Sequence, residues 1–592
     1  MNRLTQFRLL IMLSISGLPS CTAEATRPNV LIVLTDDQGW GDLSIHGNGN
    51  LETPNIDQLA EEGTRFDRFF VCPVCSPTRA EFLTGRYYPR GGVKGVTIGQ
   101  ERLDLDEQTI GDVFREAGYR TGAFGKWHNG TQYPYHPNAR GFDEYYGFCS
   151  GHWGNYWDPM LDHNGEIVKG KGFIIDDLTD HAIDFIKQSG SEPFFCYVPY
   201  NTPHAPMQVP DRWWDRHKMG EIKQRHRDPQ KEKLNHTRAA LAMCENIDWN
   251  VGRLLKTLDE QQIADNTIVI YFSDNGPNGF RWNDGMKGRK GTTDEGGVRS
   301  PFFIRWPGEI KAGRVIPQIA GGIDLLPTLT ELAGIERSGT KPLDGKSLKP
   351  LLMESNPEWP DRMIVSHWGR RGISVRNQKY RLDGTGHLFD MTTDPGQRTD
   401  VAANHPEVTK ALKAEVTRYK QTVLSEYEEE NRPFIVGHKS GTVTQLPIRD
   451  AVAVGNLKRT ARPANSSWFT NWISTDDAVT WEVEVSESAQ YSAELFYTCK
   501  QKNAGVVIRL EGLGSSETTA IEQELPVHES EIIGAEQDRD LRPEAYEQNW
   551  GRVTLGTIKL DKKMTQLKLT APKIPGQEAI DVRLLLLRRL SE

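Results

Sequence analysis

The chain has 592 residues, with 71 Lys and Arg against 80 Asp and Glu for a net charge of −9, and seven cysteines. The acidic balance gives no reason to expect nucleic acid as a partner, and the length suffices for a large core divided among about two or three domains. If Cys21 and Cys75 are taken up in other ways, Cys72, Cys149, Cys196, Cys244 and Cys499 remain. They can form two disulfides at most, so this is no disulfide scaffold.

Arg3 and Arg8 precede an apolar run over residues 9–18, too short to span a bilayer, and residues 1–25 read as a secretory signal peptide. Leu18-Pro19-Ser20-Cys21 approximates a bacterial lipobox with a lipid anchor on Cys21, while Ala23-Glu24-Ala25 offers an ordinary cleavage site. Either way export is expected, to the periplasm, the outer surface or the medium. No other stretch is apolar enough for a membrane helix.

Residues 29–34 (NVLIVL) read as a buried parallel strand ending in Thr35-Asp36-Asp37. Ligand sites in open α/β sheets gather at the carboxyl ends of strands, and adjacent carboxylates there suit a hard divalent cation, or else an N-cap or turn. Over residues 75–86, Pro77 suits the first turn of a helix and Gly85 its end. Cys75 then heads that helix, where free N–H groups favour negative charge. Its thiol is either an activated nucleophile or a buried or disulfide-bonded group, Cys72 being the nearest partner. A helix over 110–117 leads into a strand over 119–124 and then Gly125-Lys126-Trp127-His128, and a strand over 193–198 leads to Asn201-Thr202-Pro203-His204. Strand ends that bring Lys and His beside a cation fit anion recognition with proton transfer, although each histidine alone also reads as a core or surface residue.

The basic stretch 216–238, interrupted by Glu221, Asp228 and Glu232, reads as a solvated helix and loop. A strand over 267–272 (TIVIYF) ends in Ser273-Asp274-Asn275-Gly276. Asp36, Asp37, Asp274 and Asn275 together offer oxygen ligands with three negative charges, which favours calcium or magnesium over zinc. Lys290 lies in a glycine-dense segment, 288–299, that either approaches a ligand closely or is a solvated basic loop.

Cys75, Pro77 and Arg79 form a Cys-x-Pro-x-Arg pattern, continued by Leu83-Thr84-Gly85-Arg86. With Gly125-Lys126-Trp127-His128, Thr202-Pro203-His204-Ala205-Pro206 and the Lys290 segment, it resembles the signatures of type I, formylglycine-dependent sulfatases of the alkaline phosphatase superfamily. The resemblance runs from about residue 27 to about residue 425, with Asn129 standing where the family often has Leu. It implies an α/β fold, an alkaline-phosphatase-like central mixed sheet flanked by helices over 26–355, followed by a small α+β subdomain. It also implies that a formylglycine-generating enzyme converts Cys75 to 3-oxoalanine (formylglycine) before folding. Asp36, Asp37, Cys75, Asp274 and Asn275 would hold one Ca2+, with Mg2+ as second choice. The implied mechanism is transesterification–elimination. The hydrated side chain at position 75 attacks sulfur while Arg79, Lys126, Lys290 and the metal neutralise the sulfate oxygens. His204 assists the leaving alcohol, and His128 deprotonates the second hydroxyl to expel sulfate.

Residues 354–361 contain two prolines and pass into a smaller subdomain, 356–435, with short antiparallel strands over 362–366, 372–376 and 379–382 and a closing helix over 407–426. From about residue 443 strand-like segments recur at 479–485, 492–497, 506–510, 552–560, 565–569 and 582–587, which predicts a separate all-β sandwich over 443–592. Its Trp468, Trp472 and Trp550 either stack on sugar rings or pack a core. An exported sulfatase with an added β-sandwich suggests a sulfated polysaccharide or oligosaccharide as substrate. His152, Trp153 and Trp157 in the 151–157 stretch, and Arg370 and Arg371 after Trp368, are the candidate sugar and anion contacts. Competing readings are an arylsulfatase for small esters, a phosphodiesterase or phosphonate hydrolase of the same superfamily, a catalytically dead sugar-binding protein, and a hydrolase using the Cys75 thiolate.

Overall fold

The computed structural model describes residues 27–355, 357–369, 372–427, 432–514 and 518–590. The expected signal peptide, Cys21, Arg370 and Arg371 lie outside the described residues. Strand Asn29–Thr35 is buried along its whole length. Successive side chains of a strand point to opposite faces. Val30, Ile32 and Leu34 accordingly pack with Phe82, Val113 and Leu329, whereas Leu31 and Val33 pack with Leu59, Leu178 and Leu254. Helices Cys75–Thr84, Ile110–Glu116 and Leu325–Leu332 thus cover one face, and Pro54–Glu62, Ile174–Gln188 and Leu234–Glu260 the other. A strand covered on both sides needs no polar alternation, which is why its sequence is continuously apolar.

That strand is central in a ten-stranded mixed sheet. Strands Thr267–Ser273, Asn29–Thr35, Phe194–Pro199, Arg120–Lys126 and Glu144–Phe148 lie side by side and parallel, so their carboxyl ends share one edge. Antiparallel strands Phe302–Arg305 and Met160–His163 flank this group.

A four-stranded antiparallel sheet follows, built from Ile364–His367, Ile373–Arg376, Tyr380–Leu382 and Leu388–Asp390, with Leu412 and Tyr419 of helix Pro406–Thr422 packed on it. Leu388–Asp390, three residues long, gave no strand signal in the sequence. Beyond it, two six-stranded sheets enclose a core that includes Trp472, Trp481, Leu495, Leu510, Leu567 and Leu585. Strand Phe434–Val436 straddles the end of the span expected for the small subdomain, 356–435, yet pairs with Ala478–Val485 of the sandwich. Trp468 and Trp472 are buried, which removes them as sugar platforms, while Trp550 is half-buried. Among the described residues all six cysteines are free, so neither the Cys72–Cys75 pairing nor any other disulfide forms. No described helix is long and apolar enough to cross a membrane.

Candidate active site

The shared carboxyl edge of the parallel strands gathers the expected residues. Asp36 and Asp37 follow Thr35, Asp274 and Asn275 follow Ser273, Lys126 ends its own strand, His204 lies just past Pro199, and His152 just past Phe148. Helix Cys75–Thr84 brings Cys75 to the same place as its first residue. Gly85 takes the left-handed position that ends the helix (φ 67°), its N–H donating to the Glu81 carbonyl at 2.8 Å. Thr78 Oγ1 donates to the Asp274 carbonyl at 2.6 Å, and Gly291 N–H donates to the Pro73 carbonyl at 2.7 Å. These bonds lock the helix entry to the Asp274 and Lys290 loops.

Ligand atoms of Asp36, Cys75 and Asp274 lie within 4.8 Å of one another, as do those of Asp36, Asp37 and His204. Each carboxylate has one oxygen tied to a cation: Lys126 Nζ to Asp36 Oδ2 at 2.6 Å, Lys290 Nζ to Asp37 Oδ1 at 2.6 Å, and Arg79 Nη2 to Asp274 Oδ2 at 2.8 Å. Asn275 Nδ2 donates to Asp37 Oδ1 at 2.8 Å. Asp36 Oδ1, Asp37 Oδ2 and Asn275 Oδ1 remain buried without a hydrogen-bond partner. Buried oxygens left unpaired are rare and call for a reason. Unpaired oxygens of three residues from two strand ends fit a hard divalent cation, and the all-oxygen set fits calcium or magnesium. Burial works most strongly against the charge on Asp36, yet the Lys126 ammonium together with His204 and Lys290 overcomes it and holds the carboxyl below its ordinary value. Burial and the charge of Asp36 push Asp274 up to about 7.

Burial also raises the Cys75 thiol, against the pull of Lys126 and Lys290. Of the two sequence readings, the activated thiolate is therefore not what the site favours: desolvation outweighs the lysine charges. His128 adopts a left-handed backbone (φ 67°), uncommon outside glycine and typical of functional positions. Its Nε2–H donates to the Val96 carbonyl at 2.8 Å, which leaves Nδ1 buried, unpartnered and able to accept a proton. Burial holds this imidazole well below its ordinary pKa, so it is neutral at rest. His204 donates Nδ1–H to the Ala205 carbonyl at 2.7 Å, and its Nε2 lies 3.6 Å from Asp37 Oδ2. His152 stacks against His204 with ring centroids 5.5 Å apart.

Arg79 was expected to face a sulfate oxygen. The structure gives its guanidinium to Asp274 and, at 2.6 Å, to the Lys126 carbonyl, behind the carboxylates. Trp153 stacks on Phe148 and Trp157 rests on Phe173, and both line a cleft facing the sandwich. Trp368 packs against the cluster around Cys72 and Tyr88.

Three asparagines near these elements were assigned no role from the sequence. Asn201, fully buried, has both side-chain polar atoms unpartnered, and its place after a strand end was the available signal. Asn129, noted above only as standing where Leu is frequent, is also fully buried, and its Nδ2 approaches the Ser76 carbonyl at 3.4 Å. Asn465 comes from the sandwich and shares the Val96 carbonyl with His128, donating at 3.3 Å. Nothing in its local sequence, which reads as a turn, points to the site.

The sequence matches the model of the Sulfatase family over residues 28–335 and that of the N-sulphoglucosamine sulphohydrolase C-terminal region over 289–422. The dog N-acetylgalactosamine-6-sulfatase is 33% identical over 450 residues, covering 68% of this chain and 81% of the relative. The human enzyme of that name is 33% identical over 362 residues, or 55% of this chain and 66% of its own. The crystal structure of Ps i-CgsB in complex with k-i-k-neocarrahexaose superposes with a TM-score of 0.59 at 28% identity, covering 68% of this chain and 94% of that one. Cys75 and the residues at the parallel strand ends fall inside the first matched span, and Asn465 lies beyond both. With the site at the sheet edge and these relatives in agreement, the chain belongs to the sulfatase family.

Proposed function

We propose that the protein removes sulfate from a sulfated carbohydrate, with Cys75 oxidised to formylglycine and one divalent cation, calcium before magnesium, held by Asp36, Asp37, Asp274 and Asn275. The observation that carries this reading is the set of unpaired buried oxygens beside Cys75. When present, the cation and the hydrated aldehyde supply a Lewis acid and an oxygen nucleophile.

The chain's own groups account for the rest. The Lys126 and Lys290 ammonium groups, one paired with Asp36 and the other with Asp37, attract the sulfate monoester. Arg79 holds Asp274 and the end of the Lys126 strand in place. His204, fixed through Nδ1–H, turns Nε2 toward the site, where in its imidazolium form it gives the Nε2 proton to the leaving alcohol oxygen. His128, fixed through Nε2, takes a proton at Nδ1 and so frees the second half of the reaction. The names of the relatives, N-acetylgalactosamine-6-sulfatase and the neocarrahexaose complex, support a sugar ester over a small aryl ester. The charged N-terminus and its short apolar run support export, with maturation by a formylglycine-generating enzyme and the option of a lipid anchor on Cys21.

Elemental analysis of active protein should find one calcium or magnesium per chain, and Asp274→Ala should lose metal and turnover together. Stoichiometric zinc, or full activity without metal, overturns the proposal.

A further inference from the structure

A second cleft, of about 530 Å3, lies where the 153–157 segment meets the turns 533–537 and 547–550 of the sandwich. Trp153, Trp157 and Trp550 line it, and each is only partly buried. Trp550 is held in a fixed orientation: Trp468 packs edge-on at 5.3 Å between centroids, and the indole N–H donates to Glu547 Oε1 at 3.0 Å. The polar lining includes Asn155, Gln537 and Gln548. Gln537 Oε1 and Trp157 Nε1 are buried and have no hydrogen-bond partner.

The charges at the cleft do not suit an anion. Among the described residues Lys169 is the one cation in the lining, against Asp158, Glu536 and Glu547, and Glu547 is itself bonded by Arg583 at 3.1 and 3.2 Å. Fixed aromatic faces, amide groups and unpaired polar atoms recognise neutral sugar rings, whose C–H faces stack and whose hydroxyls donate and accept.

The two rims are locked together before any ligand arrives. Gln208, fully buried, accepts from the Tyr156 N–H at 2.8 Å and donates to the Gly534 carbonyl at 2.6 Å. Gly534 has a φ of 80°, and a β-carbon there would collide with Asn155 Oδ1. The cleft is also continuous in chain with the active site. His152 stacks on the His204 ring, and Trp157 is five residues on, a contour of at most about 18 Å.

We propose that this cleft between the catalytic region and the sandwich is a carbohydrate subsite for unsulfated sugar residues flanking the sulfated one. The proposal rests on the carbohydrate sulfatase reading above and adds a role for the sandwich. The test measures binding of unsulfated hexasaccharides built on galactose, N-acetylgalactosamine or N-acetylglucosamine to the full-length Cys75→Ala chain, which binds without turnover. At least one should bind, with Trp550→Ala weakening it about ten-fold and Gln537→Ala weakening it less. In the Cys75 chain, the loss of oligosaccharide turnover caused by Trp550→Ala should exceed any change in 4-nitrophenyl sulfate turnover by a similar factor. Gln537→Ala removes an amide oxygen that makes no internal hydrogen bond and an amide nitrogen bonded only to its exposed neighbour Glu536 at 2.8 Å, so it decides the matter if Trp550→Ala misfolds. Binding of none of the hexasaccharides, or equal binding by both variants and the parent, overturns the subsite. Failure to cleave any sulfate ester would overturn the sulfatase reading instead and leave the binding result standing.

Discussion

At Gly151 the chain has no room for a β-carbon, which would collide with Asn465 Nδ2 and sit 2.6 Å from His128 Nε2. Gly151→Ala should therefore push His128 off the Val96 carbonyl and release the tautomer that leaves Nδ1 free. We expect turnover to fall at least about ten-fold, equivalent to about 1.4 kcal/mol of transition-state stabilisation, with a small change in melting temperature. A kinetically normal Gly151→Ala enzyme would show that His128 is not held by this packing. Cys75→Ala should fold and lose nearly all turnover, as measured by melting and by sulfate release, and full activity in that variant would remove the nucleophile assignment. At this scale the sequence was informative where chemistry is written in short contiguous motifs at strand ends, as at Asp36-Asp37, Lys126-Trp127-His128 and Asp274-Asn275. It was silent on Asn465, whose part depends on a contact made far along the chain. It misplaced Arg79, because a motif names the residue but not which way its guanidinium points.

Among the elements, helix Cys75–Thr84 is unusual in burying all ten residues. Its polar side chains leave no apolar stripe, so periodicity alone would not have found it. Pro77 and Gly85 marked it instead. The loop carrying Lys290 ends in the short helix Glu295–Val298, and Glu295 ties that helix to the small sheet through Arg376 at 2.7 Å and Arg381 at 3.4 Å. Burial alone would raise the Glu295 carboxyl. The Arg376, Arg299 and Arg381 guanidiniums overcome this and hold it at about 2, below its ordinary 4.5. Arginine stays protonated in proteins, so the attraction persists. A depressed carboxyl stabilises the fold fully above its unfolded value, and that contribution is lost as pH falls from 4.5 toward 2. Glu295→Gln should cost about 3–5 kcal/mol at neutral pH, as breaking one side of a buried ion pair does, and flatten the acid limb of stability below pH 4.5. Denaturant titrations across that range test this, and parallel curves for parent and variant would refute it.

Over the whole molecule, the sandwich was legible as a run of alternating strands, but its contacts with the catalytic region were not. Strand Thr519–Glu524 also escaped, because its TAIEQE sequence is half-exposed or exposed throughout and lacks an apolar face. The regions are joined by polar bonds between distant residues. Gln208 reaches Gly534, Gln445 Nε2 donates to Asp162 Oδ2 at 2.5 Å, and Arg588 pairs with both carboxylate oxygens of Glu166 at 2.6 Å. Side-chain amides and guanidiniums carry no periodicity, so no sequence pattern announces such an interface. We expect calorimetry to give one unfolding transition, and two resolved peaks would show that the regions melt independently. Gln208→Leu strands the Tyr156 N–H and the Gly534 carbonyl and should cost about 1–3 kcal/mol for each buried group left unpaired. Since Tyr156 also donates through its hydroxyl to the Ala205 carbonyl at 2.9 Å, beside His204, turnover should fall with stability.

The burial of Cys75 sets a deadline. The finished protein exposes 4% of that residue, and its helix has no solvent-facing side. Asn465 leaves the ribosome roughly 390 residues after Cys75, a delay of roughly 20–80 s at ordinary rates of synthesis. The oxidation proposed for Cys75 would therefore have to act on an unfolded stretch of chain, since the native surface offers an enzyme nothing to grip. On that proposal a molecule that folds first is sealed with its thiol intact, and the fraction of active protein in a preparation would record a race between two clocks.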